Sequence, residues 1–164
     1  KDKKRLEKLK KRDTIGKINF DSIIIADFDE NLKSVATSLL YTDVSSKRIS
    51  YITLNQWFDE SLLKENSLHP IYFPSINKIN YEIFMNEFKN TYGLDGDQLS
   101  FLSYDLIGLV YFLIYENDFN ISKKIFYKKN KFMGKIGIFE ISKNTITHQL
   151  NFYSIEDNKF KKIF

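Results

Sequence analysis

A strand–helix–strand pattern at residues 22–54 constrains the fold more than any other feature of the chain. Ile23, Ile24 and Ile25 form a continuous β-branched run, which is typical of a strand with apolar residues on both faces. The segment 49–54 is the next predicted strand, and it follows a helical stretch. Such a unit normally makes a right-handed crossover between parallel strands. The pattern therefore predicts an α/β fold that opens with a strand buried on both sides.

The helical stretch between these strands has apolar residues at every third or fourth position. Asp29 or Asn31 is a suitable N-cap for it. The apolar positions form one face of a helix of about three turns, and they are Leu32, Val35, Ala36, Leu39 and Leu40. We therefore expect this face to point towards the core.

The remainder of the chain adds a strand, two long helices and a set of alternating strands. The strand lies at 71–75, and an amphipathic helix runs from about 81 to 92. The stretch at 99–117 is apolar almost all round, which predicts a core helix. Because its ends are polar, we expect no transmembrane segment in the chain. Alternating patterns after residue 132 predict strands separated by turns.

The charge balance is weakly basic. Lys and Arg number 25 against 21 Asp and Glu, which gives a net charge of +4. Such a balance suggests nucleic acid or an anionic membrane as a partner. The excess is concentrated at 1–12 and 122–131, however, and the rest of the chain has more acidic than basic residues. We therefore expect no nucleic-acid partner.

Metal and cofactor signatures are missing from the sequence. There is no Cys, which excludes disulfides, thiolate catalysis and Cys-based zinc sites. His69 precedes a proline in a loop and His148 lies in an alternating strand, so neither has a neighbouring zinc-type ligand. No glycine-rich phosphate loop and no nucleophile elbow occurs. We expect no bound metal and no cofactor.

The segment "ADFDEN" leaves a catalytic alternative open. Asp27 and Asp29 follow an apolar strand with the Asp-x-Asp spacing of haloacid-dehalogenase-like phosphohydrolases, in which one carboxylate attacks phosphorus and both help to hold magnesium. That family also needs an acidic pair at the end of a later strand, and the sequence has none. The competing interpretation makes Asp27 a polar residue at a strand end and Asp29 a helix cap.

Residues just beyond two predicted strands are the candidate binding residues. Ligands of open parallel sheets bind beyond the carboxyl ends of the strands. Five residues lie at such ends, and they are Asp27, Phe28, Asn55, Gln56 and Trp57. Asp27 and the two amides would supply hydrogen bonds, and the two aromatic rings would supply apolar walls. Alternatively, Trp57, the only Trp in the chain, packs a loop onto the core.

The order of these pieces resembles the type I periplasmic binding proteins of the leucine/isoleucine/valine-binding class. "SYDLIGLVYFLI" is similar to the "YDAV" helix of that family, and "YEIFMNEFKNTYG" to the helix that precedes it. In "FMGKIGIFEIS", Phe132, Gly134, Gly137 and Phe139 have the family's spacing. The resemblance covers residues 17–164. Within the class it is nearer to the lipoprotein activators of penicillin-binding proteins.

The resemblance implies an α/β fold with Rossmann-like lobes, of which this chain forms only the C-terminal half. It implies a division of the chain into four segments. These are 1–16, the end of a preceding helix with a connector; 17–75, a second-lobe βαβ segment; 76–131, first-lobe helices; and 132–164, C-terminal hinge-crossing strands.

The same resemblance implies a non-catalytic solute receptor in the periplasm, lipid-anchored through a region ahead of this chain. It would be the binding component of an ABC-type transport system for a branched-chain-like amino acid or related solute, with an ABC permease as partner. The alternative is an envelope protein of the penicillin-binding protein activator type, whose partner is a cell-wall synthase. One departure bears on the ligand: amino-acid binders of this class have an acidic residue near Asn55, and here it is a neutral amide.

Overall fold

A computed structural model describes residues 3–4, 6–7, 18–135, 137–143 and 145–164. Strands and helices alternate in the first half of the chain, and strands close it. The strands are β1 (Ser22–Ile25), β2 (Ser50–Thr53), β3 (Ile71–Ser75), β4 (Asn130–Met133), β5 (Ile138–Ser142), β6 (Thr145–His148), β7 (Asn151–Glu156) and β8 (Lys159–Lys162). The longer helices are α1 (Asp29–Tyr41), α2 (Lys78–Tyr92) and α3 (Gln98–Tyr115), and 3₁₀ turns occupy Glu60–Lys64, Asn66–Leu68 and Lys123–Phe126.

The chain is divided into two compact units. Unit 1 comprises the chain up to Ser75 together with Phe152–Phe164, and unit 2 comprises Ile76–Asn151. Unit 1 contains a five-stranded sheet in the order β1-β2-β3-β7-β8, whereas β4, β5 and β6 form a separate three-stranded sheet. The predicted segment 132–164 is therefore shared between the units, because its first three strands pair with one another and its last two join the first sheet.

The predicted parallel crossover is confirmed. Strands β1, β2 and β3 run parallel, and Ile25 lies opposite Thr53 in the register. Helix α1 connects the first two of them. At the other side of the sheet, β7 and β8 form an antiparallel hairpin. Its turn residues Asp157 and Asn158 have φ values of 52° and 57°, as a tight hairpin turn requires.

Two local predictions for this region are wrong. Strand β1 is not buried on both sides: Ile25 is buried, whereas Ile24 is 70% exposed. The reason is that β1 is an edge strand whose alternate residues point to opposite faces. Neither predicted residue caps α1, because the helix begins at Asp29 after Phe28 and has no side-chain cap. Asp29 instead places its charge in the first turn, where the helix dipole favours an acid.

Aromatic side chains dominate the core of unit 1. Phe58 packs edge-on against Tyr153 and Phe160, with ring centroids 5.0 and 5.5 Å apart. Phe73 of β3 stacks on Tyr153 at 5.9 Å. Nearby, the fully buried Tyr51 donates its hydroxyl to the carbonyl oxygen of Val44 at 2.7 Å. Burial raises the pKa of the Tyr51 phenol above its ordinary value.

In unit 2 one line of α3 packs against its neighbours. The buried residues of this helix are spaced four apart, and they are Phe101, Asp105, Leu109 and Leu113. Phe101 meets Phe84 of α2 with ring centroids 4.5 Å apart. Leu109 and Leu113 form a cluster with Ile125 and Ile141. A four-residue spacing keeps side chains on one helix face, so α3 contributes a single stripe to this core.

Much of the rest of the α3 surface is exposed and apolar, contrary to the prediction of a core helix. Ile107 is 69% exposed and Tyr111 is 61% exposed. Within the part of the chain that the structure describes, α3 is the one helix long and apolar enough to cross a membrane, judged by length and composition alone. The buried stripe of α3, which includes Asp105, shows that this helix packs against its neighbours in unit 2. Composition alone does not show that much of the remaining surface is left uncovered by the described residues.

Asp105 fixes the β4–β5 turn to α3. Asp105 is 3% exposed, and its carboxylate accepts a hydrogen bond from the backbone N–H of Lys135 at 2.7 Å. A side chain at Gly134 would overlap this carboxylate. Only glycine therefore lets the turn approach the helix closely enough for the hydrogen bond to form.

We predict that Gly134→Ala destabilises the protein by about 1–3 kcal/mol, because the new methyl group forces the turn away from Asp105. Gly108→Ala is the matched control. A Cβ there would meet the ring of Phe132 at 3.4 Å, an ordinary contact, and alanine favours the helix. Urea unfolding of both variants measures the difference. Equal stability of the two variants would contradict this role for Gly134.

Candidate functional site

The carboxyl ends of β1, β2 and β3 lie at one edge of the sheet in unit 1. Ile25 and Thr53 are opposite each other in the parallel register, and Asp27 and Asn55 each follow two residues later. Ser75 is the last residue of β3. The structure therefore brings the two predicted loops, at 27–28 and 55–57, to the same edge.

Asn55 connects the loop after β2 to the end of β3. Its side-chain Oδ1 accepts hydrogen bonds from the backbone N–H of Trp57 at 3.0 Å and from the hydroxyl of Ser75 at 2.8 Å. Ser75 is fully buried. Asn55 itself is half-buried, and among the described residues no acceptor takes a hydrogen bond from its Nδ2. The position of this amide is thus set by two donors, and its N–H groups remain available.

Gln56 connects the ends of β1 and β2. It is 4% exposed, and its Nε2 lies 3.1 Å from the carbonyl oxygen of Asp27 and 3.0 Å from the hydroxyl oxygen of Thr53. Thr53 in turn donates to the carbonyl oxygen of Ile25 at 2.8 Å. This side chain holds the two loops in place, and its direct contact with a ligand remains a prediction.

Trp57 and Phe58 have an unusual backbone for bulky residues. Their φ values are 52° and 60°, in the left-handed region. Two such residues in succession are costly and persist only where surrounding contacts impose them. Here the constraints are the Asn55 hydrogen bond to Trp57 and the burial of Phe58 in the aromatic core. The turn leaves the Trp57 ring half-buried at the strand ends.

Asp27 and Phe28 form the other side of this edge. Asp27 is half-buried, and its Oδ1 accepts a hydrogen bond from the N–H of Phe28 at 2.9 Å. Phe28 is 43% exposed. Throughout the described part of the chain, no three His, Asp or Glu side chains are grouped so that they could hold a metal ion. The carboxylate of Asp27 offers a hydrogen-bond acceptor at this edge, and the exposed ring of Phe28 offers an apolar surface.

Neither Ser75 nor Thr53 is among the binding residues that the sequence predicts. Both are buried hydroxyl residues at strand ends. A hydroxyl residue that closes an apolar strand is the available signal, but it does not reveal which neighbouring loop it will bond.

The two histidines make local contacts, each within its own unit. His69 places its Nε2 2.8 Å from the carbonyl oxygen of Leu62. His148 stacks on Phe139 in unit 2, with ring centroids 4.4 Å apart. Both are half-buried and held by these contacts.

Unit 2 contains an apolar groove of about 200 Å³ between α3 and the sheet of β4–β6. Its lining is almost entirely aliphatic and aromatic, with Asp105 as its one charged residue, and comprises Leu102, Asp105, Leu106, Leu109, Phe139 and Ile146. Asp105 is already bonded to the β4–β5 turn. The groove therefore offers few of the polar contacts that select a small polar solute.

Solved structures match most of this chain, and two of them are a receptor and a leucine-binding protein. An extracellular ligand-binding receptor from Desulfohalobium retbaense matches with a TM-score of 0.56 and 17% identity, over 87% of this chain and 26% of that one. The leucine-binding protein LivK from Thermotoga maritima matches with a TM-score of 0.59 and 16% identity, over 88% of this chain and 44% of that one. The fold is that of the type I periplasmic binding proteins.

The likeness is one of fold. No family model matches the sequence, and a comparison with curated proteins finds no match. This chain spans less than half the length of either structural neighbour. At such identities the type I fold locates the strand ends, and the residues found there have to be assessed on their own chemistry.

We predict that Gln56→Ala destabilises the protein by about 1–3 kcal/mol, because the carbonyl of Asp27 and the hydroxyl of Thr53 lose their shared donor in a buried position. Ser38→Ala, which removes an exposed hydroxyl from α1, should change stability by less than about 0.5 kcal/mol. Chemical denaturation of the two variants checks both values. A neutral Gln56→Ala would show that the two loops are held without this amide.

Proposed function

We propose that this chain belongs to a non-catalytic receptor for a small solute, and that the ligand binds at the carboxyl edge of β1–β3. The observation that carries the proposal is the meeting of Asp27, Asn55 and Trp57 at that edge. A carboxylate, a free amide and a half-buried indole are the mixture of polar and apolar groups that small-molecule sites use. Both structural neighbours are described as ligand-binding proteins, which supports a receptor.

The finer proposal is a periplasmic receptor that delivers an amino acid or related solute to an ABC permease. The support is the fold shared with an extracellular receptor and a leucine-binding protein. We propose that the protein functions outside the cytoplasm, with a lipid anchor ahead of this chain. Hinge closure around the solute is the form of recognition that a two-lobed receptor uses.

A catalytic role has little support at this site. Asp29 lies within α1, and the carboxylate of Asp27 accepts a hydrogen bond from the N–H of Phe28. Among the described residues, no group of three His, Asp or Glu side chains could hold a metal ion. We therefore propose binding without chemistry. Magnesium-dependent hydrolysis of a generic phosphoester by the full-length protein, lost in Asp27→Asn, would contradict this proposal and favour the phosphohydrolase alternative.

One observation favours a second candidate function, that of an envelope protein which activates a cell-wall synthase. The exposed apolar surface of α3, including Ile107 and Tyr111, is suited to a protein partner. Under this alternative no solute raises the melting temperature of the full-length protein. The protein would instead increase the rate of a purified penicillin-binding protein.

We predict that the solute site depends on the ring of Trp57. A solute at 100 times its dissociation constant should stabilise the full-length protein by about 2.7 kcal/mol, seen as a rise in melting temperature across an amino-acid panel. Trp57→Gly should abolish this rise, because glycine accepts the left-handed backbone and only the ring is removed.

Phe119→Gly is the matched control, since Phe119 is an exposed aromatic with a φ of 59° in unit 2. Its ligand response should equal that of the unmodified protein. A full response in Trp57→Gly would remove this residue from the site.

A further inference from the structure

The amide of Asn55 can adopt only one orientation in its local hydrogen-bond network. The backbone N–H of Trp57 points at it from 3.0 Å, and a backbone N–H can only donate. The hydroxyl of Ser75 donates to the same atom from 2.8 Å. A flipped amide would set its N–H₂ against the N–H of Trp57 and lose that bond, whereas the Ser75 hydroxyl can donate or accept. The carbonyl oxygen of Asn55 is therefore occupied, and the residue presents its Nδ2 to its surroundings.

The free group is thus a pure hydrogen-bond donor. Among the described residues nothing accepts from Nδ2, and Asn55 is half-buried, at a strand end where a ligand would lie. The nearest acid along the chain, Asp59, is already occupied, because its carboxylate accepts from the N–H and the hydroxyl of Ser61. A donor in this position pairs with a carbonyl, carboxylate or hydroxyl oxygen, and it repels an ammonium group.

We propose that Asn55 is a specificity residue that donates to an oxygen acceptor of the ligand, which makes the preferred ligand an oxo or hydroxy compound and not a primary amine at this point. The inference rests on the proposed function. Asp27 complements it, since among the described residues only the N–H of Phe28 donates to its carboxylate and the second oxygen is left for a ligand hydroxyl or N–H.

The substitution Asn55→Asp tests the polarity of this group with little change in shape. A carboxylate oxygen still accepts from Trp57 and Ser75, so the loop keeps its hydrogen bonds, and only the outward N–H₂ becomes an acceptor. Asn31→Asp, an exposed change of the same chemistry in α1, is the control. Asn55→Leu removes the two accepted bonds and should lower the melting temperature, which separates a structural effect from a ligand effect.

Three probes share the apolar side chain and carboxylate of leucine: leucine itself, α-ketoisocaproate and α-hydroxyisocaproate. Isothermal titration of the full-length protein should show tighter binding of the oxo or hydroxy acid than of leucine. In Asn55→Asp the ratio of affinities should move towards leucine by about tenfold or more, because a donor that served an oxygen has become a partner for an ammonium group.

The outcomes separate this inference from the proposed function. Leucine binding more tightly than both analogues, or an unchanged ratio in Asn55→Asp, overturns the inference and leaves a solute receptor in place. Absence of binding for all three probes counts against the proposed function, and the inference fails with it.

Discussion

The hydrogen bonds that tie together the carboxyl ends of β1, β2 and β3 are the constraint on which the candidate site depends. Gln56 and Thr53 connect the first two strand ends, and Asn55 and Ser75 connect the second and third. Three of these four side chains are buried. A buried donor or acceptor without a partner costs about 1–3 kcal/mol, so each bond restricts where the loops can lie. Trp57 and Phe58 keep their unfavourable backbone because Asn55 accepts from the N–H of Trp57 and because Phe58 is buried in the aromatic core.

Unit 2 is organised by a different polar contact. Asp105 accepts from the backbone of the β4–β5 turn, and the missing side chain of Gly134 lets that turn approach. One stripe of α3 is buried in unit 2, and much of the other apolar surface of this helix is exposed. Surfaces of this kind mark contacts with other polypeptide segments or proteins. The apolar character of this helix therefore bears on partners, whereas the polar edge of unit 1 bears on the ligand.

A shared fold does not carry a shared ligand. The two solved structures agree with this chain in the path of the backbone at 16–17% identity, and what a site recognises depends on the few side chains at its strand ends. Here one of those side chains is an amide whose oxygen is occupied by Trp57 and Ser75. The polarity of the remaining group follows from that local network. It would not follow from the identity of Asn55 alone, because a free amide can turn either end towards a ligand.

The sequence by itself determined the types and order of the main elements. The β-branched run at Ile23–Ile25 and the helical spacing that begins at Leu32 reflect the two periods of backbone geometry, and these predicted the parallel crossover and placed Asp27 and Asn55 beyond strand ends. Tertiary structure alone decided what covers each face. It exposed Ile24 on an edge strand, left Ile107 uncovered, and turned Gln56 inwards. Periodicity shows which residues share a face, but burial and hydrogen-bond partners depend on segments distant in the sequence.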